Sequence, residues 1–316
     1  MSKPFASAAD LGEKQERLEV VGEGVYALTA EGDPNVGAVE GEDFLVAFEA
    51  RATPLLARRW LDRLREHTDK PVRYLVLSHY HAVRVLGAAA FDADVIIAHE
   101  RTRALIAERG KEDWESEAGR MPRLFEGAET IPGLTWPDLT FSDRLALDLG
   151  GGRGELVLQY CGRGHTEGDL VAWLPAQRVL FAGDLVEARA ALYTGDAFHE
   201  EWSTTTLDRV AALDVQVLIG GRGAVVRGGE VGEAVEQTLS TMRREVGAVH
   251  RRDGTLREAF ARAHAALAPR YGQWPIFEHC MPFNVSRLWD EYDGVERPRV
   301  WTAQRDREVW DALQGS

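Results

Sequence analysis

The chain has 316 residues, of which 45% are hydrophobic and 28% charged, so it can bury a core of ordinary size for a globular protein. Its formal net charge of −14 argues against a nucleic-acid partner held by phosphate contacts and against an anionic membrane surface. No stretch reaches the roughly 18 apolar residues that a membrane-spanning helix needs.

The first residues and the cysteines bear on the compartment. Residues 1–20 lack the long apolar run of a secretory signal, which favours a cytoplasmic protein. The two cysteines, Cys161 and Cys280, would remain thiols in a reducing compartment. Two thiols do not make a disulfide scaffold, so we expect a hydrophobic core to hold the fold together.

Strands and helices alternate in the first part of the chain. Residues 18–30 and 37–49 contain short β-favouring runs, which are typical of a meander. Apolar residues recur at helical spacing from 53 to 68, and the run RYLVLSH that follows predicts a buried strand. A helix from about residue 83, a strand over DVIIAH and a helix over about 100–108 complete a second unit of the same kind.

Residues 110–140 break this alternation. Charges, prolines and isolated aromatic residues follow one another there without a clear period, which predicts an ordered cap or loop. Strands resume in LTFSDRLALDL, ELVLQYCG, LVAWLP and RVLFAGD, and Gly150–Gly154 predicts a hairpin between the first two of these. Residues 204–213 predict a helix, and VQVLIGG predicts the last strand.

The chain beyond residue 227 favours helices. We predict them over about 231–249, 255–268 and 304–314, with the Pro- and aromatic-rich stretch PIFEHCMPFNVSRLWDEYDG between the last two. This tail is either a helical extension or a dimerisation element, and the sequence leaves both interpretations open.

Polar residues at the ends of three predicted strands form a candidate metal site. His79 and His81 follow a buried strand at a spacing of two, so an extended backbone directs both imidazoles to one side. His165 stands in GHTEGD and Asp184 in FAGD, each at the end of an apolar run. Imidazole and carboxylate are ligands that zinc and non-haem iron accept readily.

The chain resembles the metallo-β-lactamase superfamily because a His-x-His pair, a later GHT-x-GD and a still later F-x-GD occur in that order, with residues 18–225 matching throughout. The resemblance implies an α/β fold of four layers, an αββα sandwich, over residues 18–228, with residues 110–140 as a cap or loop insertion. Residues 229–316 would then be a C-terminal helical extension packed on this domain. A metal-dependent hydrolase is the activity that the resemblance implies.

The chain departs from the family pattern at the second metal site. The family's first motif is His-x-His-x-Asp-His, and Val83 and Arg84 stand where the aspartate and the last histidine would be. The late Gly-His-Gly turn of the family corresponds to Gly221-Arg222-Gly223, so a third ligand of that site is missing. The resemblance therefore implies one metal ion, and its candidate ligands are His79, His81, His165 and Asp184.

Arg84 and Arg222 are predicted to point inward, with their guanidinium groups near Asp184. A buried carboxylate that lost a cation without replacement would carry a large desolvation cost, and an arginine can supply the missing charge. The same positive charge would stabilise an oxyanion and favour an anionic substrate. We therefore treat Asp184, Arg84 and Arg222 as candidate catalytic residues.

Three functions remain open at this point. The first is hydrolysis of an ester, lactone, amide or thioester of a small molecule by water on a single metal ion, with zinc as the first choice. The second is a mononuclear iron sulfur dioxygenase, similar to the persulfide dioxygenase branch of the superfamily, that uses His79, His165 and Asp184 as ligands. The third is a non-catalytic protein in which Arg84 pairs with Asp184 and the pocket holds an anion. A homodimer is left open in all three.

Several other polar residues are given no role. Cys161 is expected to be a buried thiol, and Asp169 to be structural. His279 and Cys280 in the tail lack partners at the spacing of a metal site. The remaining histidines, expected to be structural or surface residues, are His67, His99, His199, His250 and His264.

Overall fold

The computed structural model describes residues 3–228 and 232–314, so the predicted boundary at residue 229 lies outside the described residues. The strands are β1 (Arg17–Gly22), β2 (Val25–Thr29), β3 (Val36–Glu40), β4 (Leu45–Phe48), β5 (Val72–Val76), β6 (Val95–His99), β7 (Leu139–Phe141), β8 (Arg144–Asp148), β9 (Glu155–Tyr160), β10 (Leu170–Leu174), β11 (Val179–Gly183), β12 (Val217–Gly220) and β13 (Val226–Arg227).

The helices follow the strands along the chain, with most of the long ones at the C-terminal end. They are α1 (Pro54–Leu64), α2 (Ala82–Val85), α3 (Glu100–Arg120), α4 (His199–Glu201), α5 (Leu207–Ala211), α6 (Glu233–His250), α7 (Leu256–Tyr271), α8 (Phe277–Tyr292) and α9 (Ala303–Gln314). A π-helical turn, Trp202–Thr206, joins α4 to α5, and 3₁₀ turns lie at Ala6–Ala8, Ala88–Ala90, Pro122–Phe125 and Ala128–Thr130.

The strands form two sheets. The first has the order β1-β2-β3-β4-β5-β6-β7, antiparallel up to β4 and parallel from β4 to β7, which confirms the predicted meander. The second has the order β13-β12-β11-β10-β9-β8, and within it β11 and β12 run parallel. Gly150–Gly154 lies in the hairpin between β8 and β9, as predicted.

Hydrophobic side chains fill three interfaces between four layers. Between the sheets, Val76 and Ile97 of the first sheet meet Leu158 and Phe181 of the second. The outer face of the first sheet packs against α1 through Trp60 and against the chain that follows α3. Helices α6, α7 and α8 cover the outer face of the second sheet. The predicted αββα sandwich with helices at the C-terminal end is therefore confirmed.

Helix α3 extends to Arg120, so the prediction of a cap or loop is wrong for residues 110–120. The reason is that its buried face is polar, because Asp113, Ser116 and Glu117 point into the protein. A helix of this kind lacks the apolar stripe by which helices are recognised in a sequence. From Met121 to the start of β7 the chain consists of 3₁₀ turns and irregular backbone.

Helix α8 occupies the stretch between the predicted tail helices, although Pro282 lies inside it. Twelve of its residues are buried, on nearly every face. A helix surrounded by protein shows no amphipathic period, and this explains why the sequence did not reveal it. Across the described ranges, no helix is both long and apolar enough to cross a membrane.

Candidate metal centre

The predicted site residues come together at one edge of the two sheets. His79 and His81 follow β5, and His165 follows β9. Asp184 comes directly after β11 and Arg222 shortly after β12, the neighbouring parallel strand. Each lies where a strand ends, so the backbone of the sheets fixes the separation between the side chains.

The three histidines form a buried cluster. One ring nitrogen from each of His79, His81 and His165 lies within 4.8 Å of the others, and each residue is at most 3% exposed. The three rings are nearly perpendicular to one another, with centroids 4.8 Å apart in every pair. This arrangement directs ring nitrogens, rather than ring faces, to a common centre.

The outward-facing nitrogen of each ring has a fixed partner. Nδ1 of His79 lies 2.8 Å from the hydroxyl of Ser78, and Nδ1 of His165 lies 2.9 Å from the carbonyl oxygen of Tyr193. Nε2 of His81 lies 2.9 Å from a carboxylate oxygen of Asp196. A carbonyl and a carboxylate only accept hydrogen bonds, so the rings of His165 and His81 donate outward and their other nitrogens face the cluster. Partners of this kind orient metal-binding histidines in proteins.

The inward-facing nitrogens fit a cation. Nε2 of His165 and Nδ1 of His81 are 3.0 Å apart, and Nε2 of His79 has no hydrogen-bond partner among the described residues. Two lone pairs at this separation repel each other unless a proton or a metal ion lies between them. A buried nitrogen without a partner also carries a desolvation cost that coordination would remove. The residues present therefore fit a metal ion bound by three imidazoles.

The lowered pKa values of His79 and His165 support the same assignment. Burial lowers the pKa of His79 well below its usual value and that of His165 to about 3, so both rings are neutral, as metal ligands must be. Burial acts to lower the pKa of His81, but Asp113, Asp196 and Glu117 together outweigh it and raise the pKa to about 9. A ring with this pKa carries a second proton on Nδ1, facing His165, and a bound metal ion would replace that proton.

Asp184 faces both the cluster and Arg84. Its Oδ2 lies 3.6 Å from Nε2 of His165 and 3.8 Å from Nε2 of His79, while its Oδ1 accepts a hydrogen bond from Nη2 of Arg84. Burial alone would raise the pKa of Asp184, yet Arg84 and the other positive groups around it, with Arg84 the strongest of them, together outweigh burial and lower it. Asp184 is therefore an anion with one oxygen held by Arg84 and the other turned toward the histidines.

Arg84 stands where the family motif has its last histidine, and it is a buried neighbour of Asp184. Its side chain is completely buried, and beyond Asp184 it donates a 3.3 Å hydrogen bond to the carbonyl of Asn35. Val83, which stands where the family has an aspartate, is also buried. A Cβ atom added to Gly221 would lie 1.9 Å from Asp184 and 2.9 Å from Arg84, so only glycine leaves room for this pair.

Arg222 is placed differently. It is buried and lines the same cavity as Asp184, but its Nη1 donates to the carbonyl of Gly32 at 2.9 Å. It makes no ion pair with a carboxylate within 4.0 Å in residues 3–228 and 232–314. Its charge still contributes to the lowered pKa of Asp184, less strongly than that of Arg84. Arg84 is thus the direct partner of Asp184, and Arg222 acts on it from farther away.

A cavity of about 20 Å³ adjoins the cluster, enough for about one water molecule. Its lining residues are His81, Glu117, Arg120, Met121, Asp184, Tyr193, Arg222, Ile276, His279 and Cys280. His279 and Cys280, for which sequence patterns predict no role, therefore belong to the wall of the site. Burial raises the pKa of the Cys280 thiol to about 12, so this residue is uncharged.

Sequence patterns did not reveal the residues that hold the histidines. Asp196 accepts hydrogen bonds from Tyr80, at 2.5 Å, and from His81, and it is fully enclosed. It lies in the irregular segment after β11 and is one of 51 acidic residues, so no spacing distinguishes it. Tyr193 contributes through its backbone carbonyl, for which a sequence carries no signal.

Comparison with known proteins identifies the family. Residues 33–222 match the sequence profile of the metallo-beta-lactamase superfamily, and the chain belongs to this superfamily. Among curated relatives, it is 27% identical over 175 residues to a metallo-beta-lactamase type 2 of Bacillus sp. (strain 170), covering 54% of this chain and 59% of that protein. It is also 30% identical over 152 residues to the 2,4-dinitroanisole O-demethylase subunit alpha of Nocardioides sp. (strain JS1661), covering 47% of this chain and 40% of that protein. The chain thus spans less than two thirds of the length of these relatives.

Solved structures agree on the fold. A metallo-beta-lactamase from Pontibacter korlensis superposes with a TM-score of 0.54 at 20% identity, covering 72% of this chain and 96% of that one. The metallo-beta-lactamase FIM-1 from Pseudomonas aeruginosa in its mono-zinc form gives a TM-score of 0.54 at 22% identity, with 72% and 96% coverage. At these identities the likeness extends to the fold alone.

Proposed function

We propose that this protein is a hydrolase that uses one transition-metal ion, zinc first, bound by His79, His81 and His165. Its substrate is a small, anionic ester, lactone, amide or thioester. The observation that carries the proposal is the convergence of three inward-facing ring nitrogens whose rings are fixed from outside by Ser78, Asp196 and the Tyr193 carbonyl. That geometry serves metal binding, and the superfamily supplies the reaction class.

A bound zinc ion would supply Lewis acidity and would lower the pKa of water enough to make it a nucleophile near neutral pH. The chain's own contribution begins with Asp184. Its Oδ2 faces the histidines, and Arg84 keeps it ionised, so it can accept a proton at the centre of the site. Arg222 lines the same cavity, and its positive charge would stabilise negative charge that develops on the substrate.

One metal ion is proposed rather than two because the second site is filled by protein. Arg84 lies fully buried against Asp184, and Val83 contributes only apolar surface. The guanidinium supplies part of the charge that a second ion supplies in relatives. Its hydrogen bond also occupies one of the two carboxylate oxygens of Asp184.

Two other functions share individual observations with this one. An iron sulfur dioxygenase would use His79, His165 and Asp184, and the 3.6 Å and 3.8 Å separations of Asp184 from the two rings suit that set. A non-catalytic anion-binding protein is supported by the ion pair between Arg84 and Asp184. The three-histidine cluster favours zinc over both, and the metal content of the purified protein separates the three functions.

The test of the proposed reaction is a substrate panel assayed with the zinc-loaded protein. The panel holds an ester, a lactone, an amide and a thioester, each in an anionic and a neutral form, together with 2,4-dinitroanisole because of the relative that acts on it. We expect turnover of an anionic member that is lost in His81→Ala and kept in His264→Ala. Oxygen uptake on glutathione persulfide without any hydrolysis would favour the dioxygenase instead.

We further propose that residues 18–228 form the metallo-β-lactamase domain and residues 229–316 an extension packed on it. The packing of α6, α7 and α8 on the second sheet supports this division. A cytoplasmic location is supported by the buried free thiols Cys161 and Cys280, which suit a reducing compartment. Fractionation of native cells with an antibody to the protein tests the location.

A further inference from the structure

The segment from Leu192 to Phe198, between β11 and α4, contacts two of the three histidines from outside. The carbonyl of Tyr193 accepts from Nδ1 of His165 at 2.9 Å, and the carboxylate of Asp196 accepts from Nε2 of His81 at 2.9 Å. We call residues 192–198 the bridging segment. Its position decides where two of the three rings point.

The bridging segment is buried but irregular. It includes no helix or strand, and most of its residues are enclosed by protein. Buried amide and carbonyl groups must find hydrogen-bond partners, and an irregular backbone offers few of them. The N–H of Ala197 donates to the carbonyl of Thr194 at 3.2 Å, and that of Phe198 to the carbonyl of Gly164 at 2.9 Å. Side chains from the C-terminal helices supply several of the other partners.

Asn284 of α8 supplies two of them. Its side-chain Oδ1 accepts from the backbone N–H of Thr194 at 2.6 Å, and its Nδ2 donates to the carbonyl of Leu192 at 2.8 Å. These contacts flank Tyr193 on both sides, and Asn284 is only 1% exposed. The amide thus fixes the peptide whose carbonyl orients His165.

Two further tail residues hold the other half of the segment. Nε of Arg287 donates to the carbonyl of Ala197 at 2.8 Å, and Nε1 of Trp301 donates to the carbonyl of Gly195 at 3.0 Å. These contacts flank Asp196 as those of Asn284 flank Tyr193. Both donors are buried, so water does not compete for these carbonyls.

We propose that the C-terminal helices position the metal centre through the bridging segment and that Asn284 is the principal positioning residue. The inference rests on the proposed function, because it assumes a metal ion on the three histidines. The C-terminal helices thereby contribute to metal affinity, although none of their residues is a proposed ligand. A ring that rotates freely loses part of its affinity for a metal, and outer partners of ligating histidines are worth roughly 10–100-fold in affinity.

The test compares Asn284→Ala with the wild-type protein, both loaded with zinc. We expect zinc to be released to a chromophoric chelator roughly tenfold faster from the variant, the low end of the range for direct partners of the rings. Cobalt in place of zinc should show a changed visible absorption spectrum, because the geometry at the metal is disturbed. Hydrogen exchange of the amides of residues 192–198 should also become faster.

Two more variants keep the test decisive. Val246→Ala removes buried volume from α6 in the same helical layer without touching a hydrogen bond, so it should leave the cobalt spectrum unchanged. Trp301→Phe keeps an aromatic ring in the cluster but removes the donor to Gly195 together with part of the indole, so it should speed exchange of the segment and accelerate zinc release less than Asn284→Ala does.

Three outcomes would overturn the inference in different ways. Faster exchange of the segment with unchanged zinc release and cobalt spectrum would show that the segment does not position the histidines. Equal changes in Val246→Ala would mean that only general stability is involved. A wild-type protein that retains no zinc or cobalt would overturn the proposed function, and the positioning role with it.

Discussion

His81 joins the metal cluster to the protein around it. Its Nδ1 faces the other two rings, and its Nε2 donates to Asp196. His81→Ala should lower zinc affinity by more than roughly 100-fold, because it removes a ligand rather than an outer partner. Metal content after dialysis, measured by mass spectrometry, should fall together with hydrolytic activity.

The control is His264→Ala, which alters a partly exposed ring paired with Glu278 far along the chain in α7. It should leave both metal content and activity unchanged. Retention of a full equivalent of zinc by His81→Ala would exclude this residue as a ligand.

Arg84 and Asp184 form a fully buried ion pair. Removing one member leaves the other charged and unpaired, which typically costs about 3–5 kcal/mol of folding free energy. Arg84→Met should therefore lower the free energy of unfolding by an amount in this range, measured by urea denaturation of the metal-free protein. The double variant Arg84→Met/Asp184→Asn should recover part of the loss.

Arg222→Met provides the comparison, because Arg222 contacts Gly32 rather than Asp184. Its effect on stability should be smaller, and it should raise KM for an anionic substrate. A higher KM and unchanged stability in Arg84→Met would instead make Arg84 the substrate-binding residue.

The candidate metal ligands could be predicted from the sequence because they stand at the ends of strands. The residues that hydrogen-bond to these ligands could not. His79, His81, His165 and Asp184 stand at apolar-to-polar transitions, so their convergence could be predicted. The pairing of Arg84 with Asp184 could be predicted because a buried carboxylate without a second metal ion needs another positive charge beside it. Supporting groups such as the Tyr193 carbonyl act across the fold, and no local pattern encodes such a contact.

Helix α3 supports the loop that carries the first two histidines. Asp113 accepts from the backbone N–H of Ala82 at 2.7 Å, and Glu117 accepts from that of Val83 at 2.8 Å. These contacts cap the first turn of α2, directly after His81. The polar face of α3 therefore holds the His-x-His turn in place.

Asp113→Ala should destabilise the protein by about 1–3 kcal/mol, since the amide of Ala82 would be buried without a partner. Asp113→Asn keeps an oxygen acceptor and should recover most of the stability. Thermal unfolding followed by circular dichroism measures both. Glu115→Ala, on the exposed side of the same helix, serves as the control, and an equal loss there would disprove the capping role.

Helices and strands could be predicted from the sequence where their hydrophobic residues recur with a clear period. Strands such as β5 and β11 read clearly because they are buried runs that end at polar residues. Helices α3 and α8 did not, because one buries polar side chains and the other is buried on nearly all faces. Both of these helices hold backbone near the metal centre: α3 contacts the turn after His81, and α8 contacts the bridging segment.

On the scale of the whole molecule, the tail is a structural layer. Helices α6, α7 and α8 share one hydrophobic cluster with the second sheet, and Trp301 and Trp310 pack with Phe283 and Phe5 from the other end of the chain. A fragment of residues 1–228 would expose this apolar face to water. We expect it to aggregate or to remain largely unfolded, as judged by size-exclusion chromatography and circular dichroism.

The fragment would also lose the partners of the bridging segment, so any folded fraction should bind zinc more weakly than the full chain. A monodisperse, folded fragment with unchanged metal content would show that the tail is dispensable for both fold and site. The full chain purified in the same buffer is the reference.

The number of zinc ions bound per subunit tests the proposed single-metal centre most directly. The untagged protein, loaded with zinc and freed of excess ion, should contain about one zinc per subunit by mass spectrometry, as we expect from three converging imidazoles beside the Arg84–Asp184 ion pair. Chelation should remove this ion, and one equivalent of zinc should restore it. Two tightly bound equivalents, or none, would contradict a single-metal centre on His79, His81 and His165.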